Sequence, residues 1–435
     1  MLFRMPITGR RAMPCHFIIH AFCLLTLAFG SALAHAGDKP LTLSEALSRA
    51  MAQNPGLQVF DFRLQGLEGR RVTAGQNPAL EADLEVENFL GSDNLRGVDG
   101  AEYTLSLSSV LELGGKRQAR VSVVDSQYGR VEAERRAETL DLLGQATQRF
   151  VATLALQEKL QLAAEAVALA EATHEIVTRR ADRGAAPQAE VLRARAALTQ
   201  SRIEQSRLRA AYESRKMALA SLWGDTSPDF QMLEGDLFQF GSSDNFDALY
   251  QRVSDSPAIQ IYASEQRIRE AEIQLARSQS ESDIRWQVGV RRFEETDDTA
   301  LTAGLSVPLF SGRRNRGEVQ AALAARDEVR FRREDTLLRL HSRLFDAYHL
   351  RQQSIETVEQ IRSQMLPDLT EALTQTREAY ENGRYSYVEW TAAQRELLSA
   401  RQALVDAATT ALLNQALIEQ LTAQPLVAVP GAPTR

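Results

Sequence analysis

Four acids stand at alternate positions in one short run: Glu81, Asp83, Glu85 and Glu87, separated by Ala82, Leu84 and Val86. A spacing of two puts the carboxylates on one face of a β-strand and the apolar residues on the other. Such a file of carboxylates draws cations electrostatically without gripping any of them. Arg285 and Arg291 stand on the polar face of a second alternating run and balance part of the charge, so a merely hydrated acidic face is the competing reading. Gly115-Lys116 opens a helix after a strand, as a phosphate loop does. The upstream glycine of that motif falls at Val110, however, and Arg117 replaces its hydroxyl residue, so nucleotide binding is not expected. Both cysteines, Cys15 and Cys23, lie in the first 36 residues. Beyond these residues the histidines are His174, His341 and His349; the last two are eight apart on one helix, about 12 Å in rise. No cysteine and no close histidine–carboxylate spacing accompany them, so no tight metal site is expected. No catalytic constellation emerges either, and the chain reads as a non-enzyme without a cofactor.

These residues sit in a chain that repeats itself. Leu43-Ser44-Glu45-Ala46-Leu47 before Asn54-Pro55 recurs in outline as Asn245-Phe246-Asp247-Ala248-Leu249 before Ser256-Pro257. Gly115-Lys116-Arg117 has its counterpart in Gly312-Arg313-Arg314, and Gly184-Ala185-Ala186-Pro187 falls in register with Gly383-Arg384-Tyr385-Ser386. The offset stays near about 200 residues, so the two halves, 37–240 and 241–423, are repeats of one unit followed by a tail, 424–435. Each half reads as two short helices, two strands, a very long helix, a turn and another long helix.

The first 36 residues read as a secretory leader: Arg4, Arg10 and Arg11, an apolar stretch from Phe17 to Phe29, and the small-residue site Ala34-His35-Ala36. Its removal takes the net charge from −7 to −10 and leaves no thiol. His20-Ala21-Phe22 before Cys23 is a poor lipoprotein signal, so no lipid anchor is expected. No later stretch has the run of apolar residues that a membrane-spanning helix needs.

Strands are expected at about 79–89, 101–112, 284–294 and 299–309. In the second, Tyr103, Leu105, Leu107 and Leu111 oppose Thr104, Ser106 and Ser108. In the third, Ile284, Trp286, Val288 and Val290 alternate with Arg285, Gln287, Gly289 and Arg291. In the fourth, Leu301, Ala303, Leu305, Val307 and Leu309 alternate with Thr302, Gly304 and Ser306. Four matched two-faced strands of about ten residues in an exported chain have the pattern of a transmembrane β-barrel. Hairpins on a soluble core are the alternative. Four strands cannot close a barrel, for which about eight is the practical minimum, and an open edge is untenable in lipid. The barrel must therefore be shared between copies. From Lys116 to Asp182 there is no proline, and a helix of that length runs roughly 100 Å. Residues 313–382 repeat it, with a kink expected at Pro367. In the last helix Leu397, Leu404, Ala411 and Ile418, with Ala400, Ala407, Asn414 and Leu421, form a small-residue heptad seam.

Over nearly all of the mature chain this order resembles the TolC-type outer-membrane efflux proteins. Leu111-Glu112-Leu113-Gly114-Gly115-Lys116-Arg117 is similar to the cobalt–zinc–cadmium (CzcC-like) branch, and Val307-Pro308-Leu309-Phe310-Ser311-Gly312-Arg313 is its counterpart after the fourth strand. Tyr380-Glu381-Asn382-Gly383, with Glu389, Gln394 and Leu397, looks like the family's final helical turn. The resemblance implies a mainly α fold with a transmembrane β-barrel contribution: a homotrimer whose twelve strands form one barrel in outer-membrane lipid, continued by a periplasmic α-barrel. It implies a periplasmic adaptor and an inner-membrane pump of RND type as partners, with no nucleic acid involved. The duct would be passive and its cargo heavy-metal cations, with drugs or organic solutes as the alternative. A periplasmic coiled-coil adaptor is a weaker reading, and a secreted enzyme weaker still. On this basis Glu81, Asp83, Glu85, Glu87, Arg285 and Arg291 would line the lumen. Pro78, Gly114, Gly115, Pro308 and Gly312 would mark the passage from barrel to helices. Gly184, Ala185, Pro187, Gly383, Arg384, Tyr385 and Tyr387 would form the turns that meet the adaptor; a plain helix–helix turn is the alternative there.

Overall fold

The computed structural model describes residues 40–93, 96–242 and 244–424. The expected leader and, apart from Gln424, the expected tail lie outside the described residues. The chain opens with β1 (Leu41–Thr42), α1 (Leu43–Gln53) and α2 (Pro55–Ala74). Thr42 accepts a hydrogen bond from the Glu45 amide, and Asn54 both ends α1 and caps α2, with Pro55 at the first helical position. The second half reuses this grammar: Asn245 caps α5 (Phe246–Ser254), and Pro257 opens α6 (Pro257–Ser278).

Strands β2 (Glu81–Glu87), β3 (Glu102–Leu111), β5 (Ile284–Phe293) and β6 (Asp298–Ser306) form one antiparallel sheet in the order β2-β3-β5-β6. The two hairpins, one from each repeat, join along β3 and β5. Register is consistent throughout: Leu84, Leu105, Val290 and Leu301 form one cross-strand row, and Glu85, Thr104, Arg291 and Ala300 form the next. The fourth strand stops short of the expected bound. Its sequence alternation runs on to Leu309, but the ladder ends at Ser306, since Pro308 has no N–H to extend it. A second pairing was not foreseen: β1 lies parallel to β4 (Leu233–Glu234), matching Leu41 to Leu233.

Four-residue connections lead from the sheet to the helices. After β3 comes α3 (Lys116–Asp182), which turns at its far end into α4 (Gln188–Ala220). After β6 come the single turn α7 (Ser311–Arg314) and α8 (Arg316–Gln360). A π-helical turn at Ile361–Met365 then leads into α9 (Leu366–Glu381) and, beyond a tight turn, α10 (Tyr387–Thr422). Where a kink is expected, the structure has this wider turn. Pro367 cannot donate to the carbonyl four residues earlier, and the preceding turn widens. Next to the sheet the helices pack α2 on α3, α3 on α6 and α6 on α8; beyond, α3 packs on α4 and α10, and α10 on α9.

Among the described residues, three apolar clusters hold the helices together. The largest gathers Leu41, Ala46, Leu142, Phe150, Leu219 and Trp223 at mid-length. Another joins Leu249, Val253, Leu344, Ala347 and Ile418 across α5, α8 and α10. The heptad seam of α10 is mostly buried as expected, through Leu397, Ala400, Ala411, Ile418 and Leu421, whereas Asn414 is half-buried and donates back to the Thr410 carbonyl.

Candidate functional site

The apolar face of the sheet is uncovered, unlike that of a water-soluble protein. On its apolar face Leu84 is 71% exposed and Leu301 88%, while on the polar face Thr104 is 3% exposed and Ser106 5%. No soluble core would leave so many large aliphatic side chains outside, while the hydroxyls are covered by Gln287 and Arg291 beside them. The polar face is knit across strands. Gln287 Nε2 donates to Ser106 Oγ at 2.8 Å, and Ser108 Oγ to Asp83 at 3.2 Å. Arg291 donates to Thr104 Oγ1 and pairs with Glu87 at 2.9 Å and with Glu102 at 2.8 Å. Arg285 lies 3.5 Å from Glu81. The structure thus brings the expected acids and arginines onto one surface. Among the described residues Glu85 has no partner for its carboxylate. Sequence reading missed Glu102, although the alternation of β3 extended one step back would have included it.

The passage from strand to helix is built differently in the two repeats. Gly114 and Gly115 both take left-handed φ of 70°. A Cβ on Gly114 would stand 2.7 Å from Glu281 Cγ and 3.1 Å from the Ser278 carbonyl oxygen. Lys116, buried, reaches Asp283 at 2.6 Å and donates to the Glu281 carbonyl at 2.8 Å, so it ties α3 to the second repeat. In the other junction Gly312 does not match Gly115: it lies inside α7, and the left-handed residue is Phe310, with φ of 64°. Pro78 stands between α2 and β2, and Pro308 between β6 and α7, both outside the ladder.

At the far end two turns close the helix pairs. Gly184 has φ of 72° and Gly383 of 75°; the amide after each, of Ala185 and of Arg384, bonds at 2.8 Å to the carbonyl five residues back. This closure needs a left-handed residue, and glycine takes it without a Cβ penalty. Arg180 locks the two turns together. It donates to the Glu381 carbonyl at 2.5 Å and to the Ala185 carbonyl at 3.2 Å, and its guanidinium lies 4.8 Å from the centre of the Tyr380 ring. Tyr380 stacks on Trp390 at 4.9 Å and donates to Glu190 at 2.8 Å. Burial and that carboxylate hold its phenol well above the ordinary tyrosine range. Ser386 and Glu389 form a reciprocal cap at the start of α10, which lowers the Glu389 carboxyl. Gly184, Ala185, Pro187, Gly383, Arg384 and Tyr385 are exposed at this tip. Tyr387 is not: its ring is buried with Ile176, Val177 and Trp390, so it supports the turn from within rather than offering a contact. Arg180, Glu190, Tyr380 and Trp390 were missed as a network. The aromatic residues flanking the Gly383 turn were its one visible sign. His341 packs edge-on to Phe246 and Tyr250, and His349 lies against Phe345 and Tyr348.

The sequence model for "Outer membrane efflux protein" matches residues 46–225 and again 248–424, one match per repeat. The chain belongs to the outer membrane efflux protein family. Its sheet therefore belongs to the outer membrane and its helices to the periplasm. The cobalt-zinc-cadmium resistance protein CzcC of Cupriavidus metallidurans is 26% identical over 83% of this chain and 85% of its own length. The nickel and cobalt resistance protein CnrC of the same organism is 27% identical over 72% of this chain and 75% of its own. Among solved structures, that of CusC superposes with a TM-score of 0.72 at 18% identity, covering 87% of this chain and 91% of that one. That likeness carries the fold alone: mainly helical and TolC-like.

Proposed function

We propose that three copies of this outer-membrane efflux protein close a twelve-stranded barrel and form a passive export duct for heavy-metal cations. The sheet carries the reading. Its outer strands β2 and β6 each have one unpaired edge, and an unpaired edge is untenable in lipid. Pairing β6 of one copy with β2 of the next removes every edge at once. The polar face then becomes the lumen wall, with Glu81, Asp83, Glu85 and Glu87 repeated three times and only partly balanced by Arg285 and Arg291. A duct needs no tight site, since ions must also leave. Cations as cargo follow from this acidic wall together with the metal-resistance relatives. The tips at Gly184–Pro187 and Gly383–Tyr385 would meet a periplasmic adaptor, which couples the duct to an inner-membrane pump of RND type. Deleting the gene and testing growth against cobalt, zinc, cadmium and nickel salts and a drug panel checks the cargo. Sensitivity to drugs alone would replace metals with organic solutes. Sizing in detergent checks the assembly, and a stable monomer would refute it.

A further inference from the structure

The turn from β6 into α8 leaves more of its side chains unpartnered than its counterpart in the first repeat. Leu309 is 71% exposed and Phe310 75%. In sequence Leu309 continues the alternation of Leu301 and Leu305, beyond the end of the strand. Phe310 holds a left-handed conformation that is an outlier for a bulky residue, and strain of this kind tends to gather where a segment has work to do. Arg313, Arg314 and Arg316 follow at once. All three are exposed, and among the described residues none has a side-chain hydrogen bond or ion pair.

The duplication supplies its own comparison. At the first junction Lys116 holds Asp283, Arg120 chelates Glu112 at 2.5 and 2.9 Å, and Arg117 donates to Asn77 at 3.2 Å. The cations there are satisfied within the chain; those of the second junction are not, although the chain as a whole is acidic. Going from the sheet toward the helices, the surface passes from exposed aliphatic and aromatic side chains to unpaired guanidinium groups. A phospholipid leaflet shows the complementary order, from acyl chain to phosphate.

We propose that the 309–316 turn binds the phosphate headgroups of anionic phospholipids in the periplasmic leaflet of the outer membrane. Phe310 would sit at the acyl–headgroup boundary, and Arg313, Arg314 and Arg316 would engage the phosphates, for which the guanidinium fork is suited. The inference rests on the outer-membrane setting of the sheet and not on the identity of the cargo. The rival occupant is a second copy of the chain. The stretch beside the opposite edge strand, residues 75–80, contains no acid, and Glu81, which follows it, already lies 3.5 Å from Arg285.

The test titrates the full-length protein, extracted in maltoside detergent, with dioleoylphosphatidylglycerol and counts bound lipid by native mass spectrometry. Dioleoylphosphatidylethanolamine and inorganic phosphate are the comparison probes. Wild type should prefer phosphatidylglycerol. R313Q/R314Q/R316Q should weaken its binding by roughly fivefold per arginine, on the order of 100-fold in all. Phe310→Gly should weaken both lipids without lowering the thermal midpoint in lipid-free detergent, because glycine accepts the φ of 64°. Undiminished phosphatidylglycerol binding by the triple variant would overturn the proposal. Competition by millimolar inorganic phosphate would do so too, by marking an ion site. Loss of the oligomer in the triple variant without lipid would assign the arginines to a subunit contact instead. Metal resistance of the same strains reads the export function separately, so a failure there cannot be mistaken for a failure of lipid binding.

Discussion

Leu84 and Glu85 are neighbours in sequence, and their substitution by arginine should have very different consequences. Leu84 lies at the centre of β2, opposite Leu105, and its side chain is largely uncovered on the apolar face, which the proposed barrel turns to lipid. An arginine near the bilayer midplane of a barrel costs roughly 2–4 kcal/mol, hence about 6–12 kcal/mol for three copies. Even the lower figure shifts the assembly equilibrium by roughly 30-fold per chain. Glu85 points the other way, opposite Thr104, which in turn opposes Arg291. Two strand spacings separate position 85 from Arg291, roughly 9.5 Å. Two positive charges at that distance in a water-filled lumen repel by only about 0.4 kcal/mol. Leu84→Arg should therefore deplete the proposed trimer from outer-membrane fractions, read as the slow band on unheated SDS gels, while Glu85→Arg should leave it near the wild-type level. Equal depletion by both would show that the assignment of the two faces is wrong.

Three further outcomes follow from the geometry. Gly383→Val and Gly184→Val force a β-branched residue into a left-handed turn at roughly 1–2 kcal/mol each, so both should abolish metal resistance while the trimer remains in the membrane; wild-type resistance in both would remove these turns from the coupling to the adaptor. Gly114→Ala places a methyl group against Glu281 and the Ser278 carbonyl and should lower stability by about 1–3 kcal/mol, read as a lower thermal midpoint in detergent. Tyr212 is buried, donates to Gln157 and to the Gln231 carbonyl, and has its phenol pushed up to about 12 by burial. The unfolded chain ionises there first, so the stabilisation is complete below pH 10 and is lost between about 10 and 12, at most about 3 kcal/mol. Tyr212→Phe should flatten urea midpoints measured across that interval, and an unchanged slope would count against the assignment.

The periodic features were legible in the sequence. Alternation in four strands gave both the sheet and its faces, because a period of two leaves no other arrangement once one face must be apolar. Asn54-Pro55 and Gly383 announced a helix start and a helix stop by local chemistry alone. The failures have a common cause in contacts between distant segments. The β1–β4 pair is two residues long and carries no period. Repeat symmetry suggested Gly312 as the partner of Gly115, yet the left-handed residue in the second junction is Phe310, two positions earlier. Tyr387 sits beside an exposed turn in the sequence but faces the cluster around Trp390 in space. Arg180 and Glu381 meet across roughly half the chain, where no local pattern could join them.

Both connections from strand to helix are four residues long, 112–115 into α3 and 307–310 into the single turn α7 that precedes α8, although their turn conformations differ. The hairpin loops at the other end of the sheet differ widely, spanning 88–101 in the first repeat and 294–297 in the second. Each connection joins two rotations with different periods. One residue more or less inverts the facing of a strand but turns a helix by only about 100°. No slip of the chain can correct both at once. An insertion here would either turn aliphatic side chains into water or rotate the packed stripe of α3 or α8 out of its bundle. The short connections thus act as phase locks, whereas a change of length in the outward loops leaves both rotations in step.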